Sequence, residues 1–164
     1  MKKFLILTLS IIALVLCFSI VSFAEETPHK GTWGELSWEF YEPTGTLTIT
    51  GSGEMNEFYF GGGTDAWHFY NFYNYDIKKV VISEGITSVS ANAFRMFSSL
   101  EEVVLPSTLE KIGMDAFSGC YSLESIDIPD SVTEIGERAF AQCSGLKSIT
   151  LPSGLTAISN YMFT

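Results

Sequence analysis

Cut every 23 residues from Lys78, the last 87 residues align on one another without a gap. The segments read KKVVISEGITSVSANAFRMFSSL, EEVVLPSTLEKIGMDAFSGCYSL, ESIDIPDSVTEIGERAFAQCSGL and the shorter KSITLPSGLTAISNYMFT. Apolar columns run straight down them: Val80, Val103, Ile126, Ile149; then Ile82, Leu105, Ile128, Leu151. Further columns are Ile86, Leu109, Val132, Leu155 and Val89, Ile112, Ile135, Ile158. Phe94, Phe117, Phe140 and Phe163 form another, and Leu100, Leu123 and Leu146 close each full unit. No single unit has enough apolar surface to offset the entropy of ordering itself, so the units must stack and share their burial.

A period between 20 and 29 residues with Leu-x-x-Val-x-Leu strands indicates a leucine-rich solenoid. Leu100-x-x-Val103-x-Leu105 and its copies place alternate side chains inward. Pro106, Pro129 and Pro152 follow the strand, where a lost N–H does least harm. Gly113 and Gly136, in column with Ser90 and Ser159, suit a turn before the Ala-Phe step, and too few residues remain there for more than a turn or short helix. The expected fold class is an α/β, β-dominant leucine-rich repeat solenoid of 23-residue repeats, three full and a fourth incomplete over 77–164.

Ahead of the repeats, Leu36, Trp38 and Phe40 alternate with polar residues, as do Leu47 and Ile49. Glu42-Pro43-Thr44-Gly45 between them has turn chemistry, which predicts a β-hairpin with one apolar face. The open end of a solenoid needs cover, so residues 25–76 are expected to form an N-terminal cap. Within them EFYFGGGTDAWHFYNFYNYD (57–76) holds nine aromatic residues in twenty. It reads either as cap core or as a glycan platform whose candidate contacts are Trp67, Tyr70 and Tyr73. Gly61-Gly62-Gly63 lacks the following Lys-Ser/Thr of a phosphate loop.

Residues 1–24 have the pattern of a cleavable export signal: Lys2 and Lys3, an apolar run from Phe4, and Ser22-Phe23-Ala24 at the exit. Leu16 before Cys17 argues against lipidation. Without Lys2 and Lys3, 7 Lys and Arg face 19 Asp and Glu, a net charge of −12. Such a surface repels nucleic acid and anionic membrane. Stable membrane insertion after cleavage is not expected.

Little chemistry is legible. His29 lies near the expected mature terminus, in a stretch read as a frayed tail. Asp65 and His68 lack a third metal ligand, and no carboxylate pair, nucleophile elbow or calcium loop is visible, so no enzyme activity and no cofactor are expected. Cys120 and Cys143 share a column with Phe97. Neighbouring strands bring such residues near disulfide distance, but a column that accepts Phe is a packing position, which favours buried thiols. The outward columns are Lys79, Glu102, Ser125, Ser148 and Val81, Val104, Asp127, Thr150, candidate partner contacts on the strand face.

The pattern I-P-x-S-[LV]-x-x-I-x-x-x-A-F-x-x-C-x-x-L resembles the BspA-like leucine-rich repeats of secreted and surface proteins. GTWGELSWEFYEPTGTLTITGSGEM is similar to the segment that leads into those repeats, with Trp67-His68-Phe69-Tyr70 filling a later Trp-x-x-Tyr. Trp33 stands where relatives often have Cys, and Ala66 where Pro is usual. The resemblance implies a secreted or surface location and an adhesive role toward protein, or toward polysaccharide as the alternative; a spacer in a larger surface protein is a third expectation. The last repeat stops at Phe163-Thr164, which reads as a fragment of a longer product.

Overall fold

A computed structural model describes residues 27–56, 76–155 and 159–163. The alternation over 36–50 becomes two antiparallel strands, β2 (Leu36–Tyr41) and β3 (Thr46–Thr50), with Trp38 opposite Ile49 and Phe40 opposite Leu47. Pro43 fits the 3-10 turn Glu42–Thr44, and Gly45 at φ 63 returns its N–H to the Glu42 carbonyl. The apolar faces of both strands are buried.

His29 departs from the frayed tail expected of it. It opens β1 (His29–Trp33), paired antiparallel with β2. Its ring stacks on Phe40 at 6.4 Å and its Nε2 lies 2.9 Å from Glu42 Oε1. Lys30 reaches Glu39 at 3.0 Å, and Trp33 is buried. Gly31 is required here, because a Cβ would fall 2.5 Å from the Trp38 ring. With one apolar residue in five, β1 has no period-two signal; its place comes from β2.

From β3 the sheet continues in parallel through β5 (Lys79–Ile82) to β7 (Glu102–Val104), pairing Leu47 with Val80 and Val80 with Val103. Beside β7 lies β9 (Ser125–Asp127), itself paired in parallel with β11 (Ser148–Thr150). A second parallel sheet consists of β4 (Gly53–Glu54), β6 (Ile86–Val89), β8 (Lys111–Ile112) and β10 (Glu134–Ile135). In it Val89 pairs with Ile112 and Ile112 with Ile135.

The segments around the Ala-Phe steps are turns, as their length allowed. Asn92, Asp115, Arg138 and Tyr161 all hold φ between 53 and 59. The N–H groups of Asn92, Phe94 and Met96 donate to the carbonyls of Met114, Ala116 and Ser118 at 2.8, 2.8 and 2.7 Å. Asp115, Phe117 and Gly119 repeat this toward Glu137, Ala139 and Ala141. Backbone pairing therefore joins successive units along three lines, and the core lies between them.

Phenylalanine rings form the spine of that core. Phe94 and Phe117 stack at 5.3 Å, Phe117 and Phe140 at 5.6 Å, and Phe140 and Phe163 at 6.2 Å. Cys120 and Cys143 are free and buried. Each thiol donates to the phenylalanine carbonyl of the preceding unit, Cys120 to Phe94 at 3.3 Å and Cys143 to Phe117 at 3.2 Å. Burial pushes both thiols up, with the Cys143 sulfur adding to the effect on Cys120, so both remain protonated donors. A packing column thus also satisfies backbone acceptors.

The glycine column has a different cause from the turn expected of it. Neither Gly113 nor Gly136 has positive φ. A Cβ on Gly113 would lie 2.5 Å from the Ala91 nitrogen, and one on Gly136 2.5 Å from the Met114 nitrogen. Close approach of neighbouring backbones excludes a side chain there.

Loop carboxylates tie adjacent units as well. Glu84 accepts from the Ser107 N–H and Oγ, both at 3.0 Å, and Asp130 accepts from Ser153 in the same way. The Ser107 backbone N–H, then its hydroxyl, holds the Glu84 carboxyl below its ordinary 4.5. A depressed folded-state value gives stability that is present above the unfolded value and is lost as pH falls through the folded one. The difference in melting temperature between wild type and Glu84→Gln is expected to be largest at neutral pH and to vanish in acid. A constant difference from neutral to acid pH would exclude the ionised carboxylate as its source.

Candidate binding surface

Period two along each strand sends alternate side chains out of the first sheet, and register aligns them into rows. Lys79 pairs with Glu102 and Val81 with Val104 across β5 and β7; Ser125 pairs with Ser148 and Asp127 with Thr150 across β9 and β11. All eight residues lie on the outward face. Lys79 and Val81 are half-buried, and the other six are exposed. Val104 is 39% exposed, a large apolar side chain in the middle of the face. Lys79 Nζ sits 2.8 Å from Glu102 Oε1.

The rows extend further than the repeats alone indicated. Thr46 and Thr48 of β3 are in register with Lys79 and Val81, and Tyr41 and Glu39 of β2 with those threonines. Lys30 of β1 is opposite Glu39. Inward Leu47 and Ile49 already implied outward Thr46 and Thr48. The parallel pairing of β3 with β5, across 28 intervening residues, has no local signal. One row of the first sheet therefore runs Tyr41, Thr46, Lys79, Glu102, and the next Lys30, Glu39, Thr48, Val81, Val104; Ser125 with Ser148 and Asp127 with Thr150 lie beyond them on the separate two-stranded sheet of β9 and β11 beside β7.

The face is hydroxyl-rich, with an apolar centre at Val81 and Val104 and a charge pair beside it. It suits contact and hydrogen bonding. Among the described residues no group of three or more His, Cys, Asp or Glu could hold a metal ion. Trp67, Tyr70 and Tyr73, with Asp65 and His68, lie outside the described residues, as does the leader 1–24. No helix among the described residues is long and apolar enough to cross a membrane.

The sequence profile of BspA type leucine rich repeat regions matches residues 68–164, in six copies. The chain belongs to that family. Among the described residues of this BspA-type protein strands dominate and almost no helix is present, a β-rich leucine-rich repeat fold. A leucine rich cell surface protein of Faecalibacterium prausnitzii A2-165 is similar at 31% identity and TM-score 0.53, over 85% of this chain and 41% of its own length. The pneumococcal vaccine antigen PcpA shares the fold at 20% identity and TM-score 0.54, over 87% of this chain and 35% of its own. The BspA-type chain thus spans less than half of either neighbour. No curated protein matches it significantly.

Proposed function

We propose that this BspA-type protein is an exported, non-catalytic binding protein that holds a protein partner against the outward face of its first sheet. Residues 1–24 act as a cleaved leader, 25–76 cap the stack, and 77–164 form a solenoid of 23-residue repeats. The carrying observation is the in-register outward face, in which exposed Val104 is surrounded by hydroxyl and charged side chains. An apolar centre within a polar rim is the anatomy of a protein interface. The five strands of the first sheet at ~4.8 Å make its face about 19 Å long, and the β9–β11 pair beside β7 extends it. A partner reaching the ~800 Å² of a standard interface overlaps its edges. The cell surface assignment of the F. prausnitzii neighbour supports a location outside the cytoplasm.

A second reading rests on the aromatic density of 57–76 and assigns polysaccharide binding to Trp67, Tyr70 and Tyr73. One experiment separates the two. Wild type, Val104→Asp and Trp67→Ala are immobilised and exposed to bacterial and host surface proteins and, separately, to cell-wall polysaccharide. A protein ligand is expected to bind Val104→Asp at least about tenfold more weakly, ~1.4 kcal/mol, and Trp67→Ala unchanged. Retention of protein ligands by Val104→Asp at wild-type affinity would exclude the sheet face.

A further inference from the structure

A notch of about 670 Å³ lies at the corner where the second and third units close and the next strands begin. Tyr121 lines it together with Glu101, Glu124, Ser125, Ser144 and Lys147. Its size falls within the ~300–1,000 Å³ of small-ligand sites. Lys147 Nζ sits 2.7 Å from Glu124 Oε1. Among the described residues, Glu101 and the hydroxyls of Tyr121, Ser125 and Ser144 bond to no protein group.

The repeat does not require this tyrosine. Ser98 and Ser144 hold the same position in the units on either side, and both are exposed. Tyr121 is itself 41% exposed, so the core does not explain its ring. The next position opens the space beside it. Ser122 Oγ donates to the Ser98 carbonyl at 2.7 Å, whereas Gly145, in the same column, has no side chain, because a Cβ there would collide with the Tyr121 carbonyl oxygen. A large ring between short serines, next to bare backbone, gives a concavity with one flat wall. A single exposed aromatic residue is ordinary on a protein surface. This one stands in a concavity among unpaired hydrogen-bonding groups, so an apolar face and a polar rim converge on one place.

We propose that this notch binds a sugar ring of an uncharged or amino-substituted polysaccharide. A pyranose has the same division of character, with C–H groups on its faces and hydroxyls at its edge. Its face rests on the Tyr121 ring, whose body is apolar and whose tip is polar. Sugar hydroxyls or an amino group donate to the Glu101 carboxylate, and the Ser125 and Ser144 hydroxyls donate to or accept from the rest. Charge selects against acidic polysaccharides: the notch has two carboxylates and one lysine, on a chain of net charge −10. Ser125 is the one residue shared with the outward columns, and no residue of 57–76 takes part, so the site rests on neither reading above.

The isotope-labelled whole protein is titrated with tetramers of glucose, N-acetylglucosamine, glucosamine and, as the acidic counterpart, galacturonic acid, and amide shifts are followed by NMR. At least one of the first three is expected to bind saturably and to move the amides of 121–125 and 144–147; the galacturonic acid tetramer should not bind. Tyr121→Ser, which repeats the serine of the neighbouring units and so leaves the stack intact, should weaken binding at least about tenfold. Tyr121→Phe, which keeps the ring, should weaken it about threefold. Glu101→Gln should weaken it about threefold to tenfold. Val104→Asp and Trp67→Ala should leave it unchanged, and circular dichroism checks each fold. No binding of any of the three tetramers, wild-type affinity in Tyr121→Ser, equal binding of the galacturonic acid tetramer, or shifts confined to residues outside the notch would each overturn the proposal.

Discussion

Replacing Phe117 with alanine is expected to cost about 3–5 kcal/mol of stability, at the upper end for a single side-chain truncation. Phe117 is fully buried and lies between Phe94 and Phe140, parallel to the second within 1°. Its removal deletes contacts to two units at once and opens a cavity that their backbone pairing prevents from collapsing. In a linear stack stability is close to a sum of unit and interface terms, so losing a central interface also uncouples the two halves. Urea unfolding of Phe117→Ala should show a lower midpoint and a broader transition. Phe163→Ala is the contrast: its ring is 48% exposed at the end of the same line, and its loss should cost about 1 kcal/mol. Equal losses at the two positions would remove the ring stack from its central role.

The charges obey the same geometry without supplying comparable energy. Lys79–Glu102, Lys111–Glu134, Arg138–Asp115 and Lys147–Glu124 each join residues one unit apart, at 2.7 to 3.2 Å. The three exposed pairs are worth roughly 0–1 kcal/mol each; Arg138–Asp115 differs, because Asp115 is buried. Their value lies in register, since a slipped stack would set Glu110 rather than Lys111 beside Glu134. The core provides the stability, and the pairs discriminate between alignments.

What could be read in the sequence was whatever recurs. The inward columns, the Phe line and the outward position of Lys79 to Thr150 follow from a period of 23 combined with a period of two. Three features had no local signature. β1 has one apolar residue in five and takes its position from β2. Thr46 and Thr48 join the outward face only because β3 pairs with β5, a contact between segments with unrelated sequence. Apart from β6, the second sheet consists of two-residue strands, too short for any alternation to show. Cys120 and Cys143 were legible as packing positions, but their donation to Phe94 and Phe117 depended on where the neighbouring carbonyls point.

The glycine column provides the sharpest test of the stacking itself. Gly113 has an ordinary backbone conformation, so Gly113→Ala should by local rules gain about 0.4–1 kcal/mol through the unfolded state. The expected result is the opposite. The new methyl would meet the Ala91 nitrogen at 2.5 Å, the Ser90 carbonyl carbon at 2.7 Å and the Ala91 Cα at 2.9 Å, all backbone atoms that no rotamer change can move. Carbon contacts are comfortable at ~3.5–4.0 Å, so β6 and β8 would have to separate by about 1 Å and weaken their pairing. A loss of about 1–3 kcal/mol follows, measured by urea unfolding. Gly53→Ala isolates the other kind of cost, because Gly53 has φ 91 and nothing within 4 Å of a Cβ; strain alone should cost about 1–2 kcal/mol there. Gly119→Ala combines both, with φ 78 and the Met96 sulfur 2.6 Å away, but that sulfur ends a flexible side chain. Met96→Ala should therefore relieve the contact part at Gly119 and leave the backbone part, whereas no side-chain truncation should rescue Gly113→Ala. A neutral or stabilised Gly113→Ala would mean that the units are not in backbone contact there, and the stack would have to be looser than its hydrogen bonds at 2.8 Å imply.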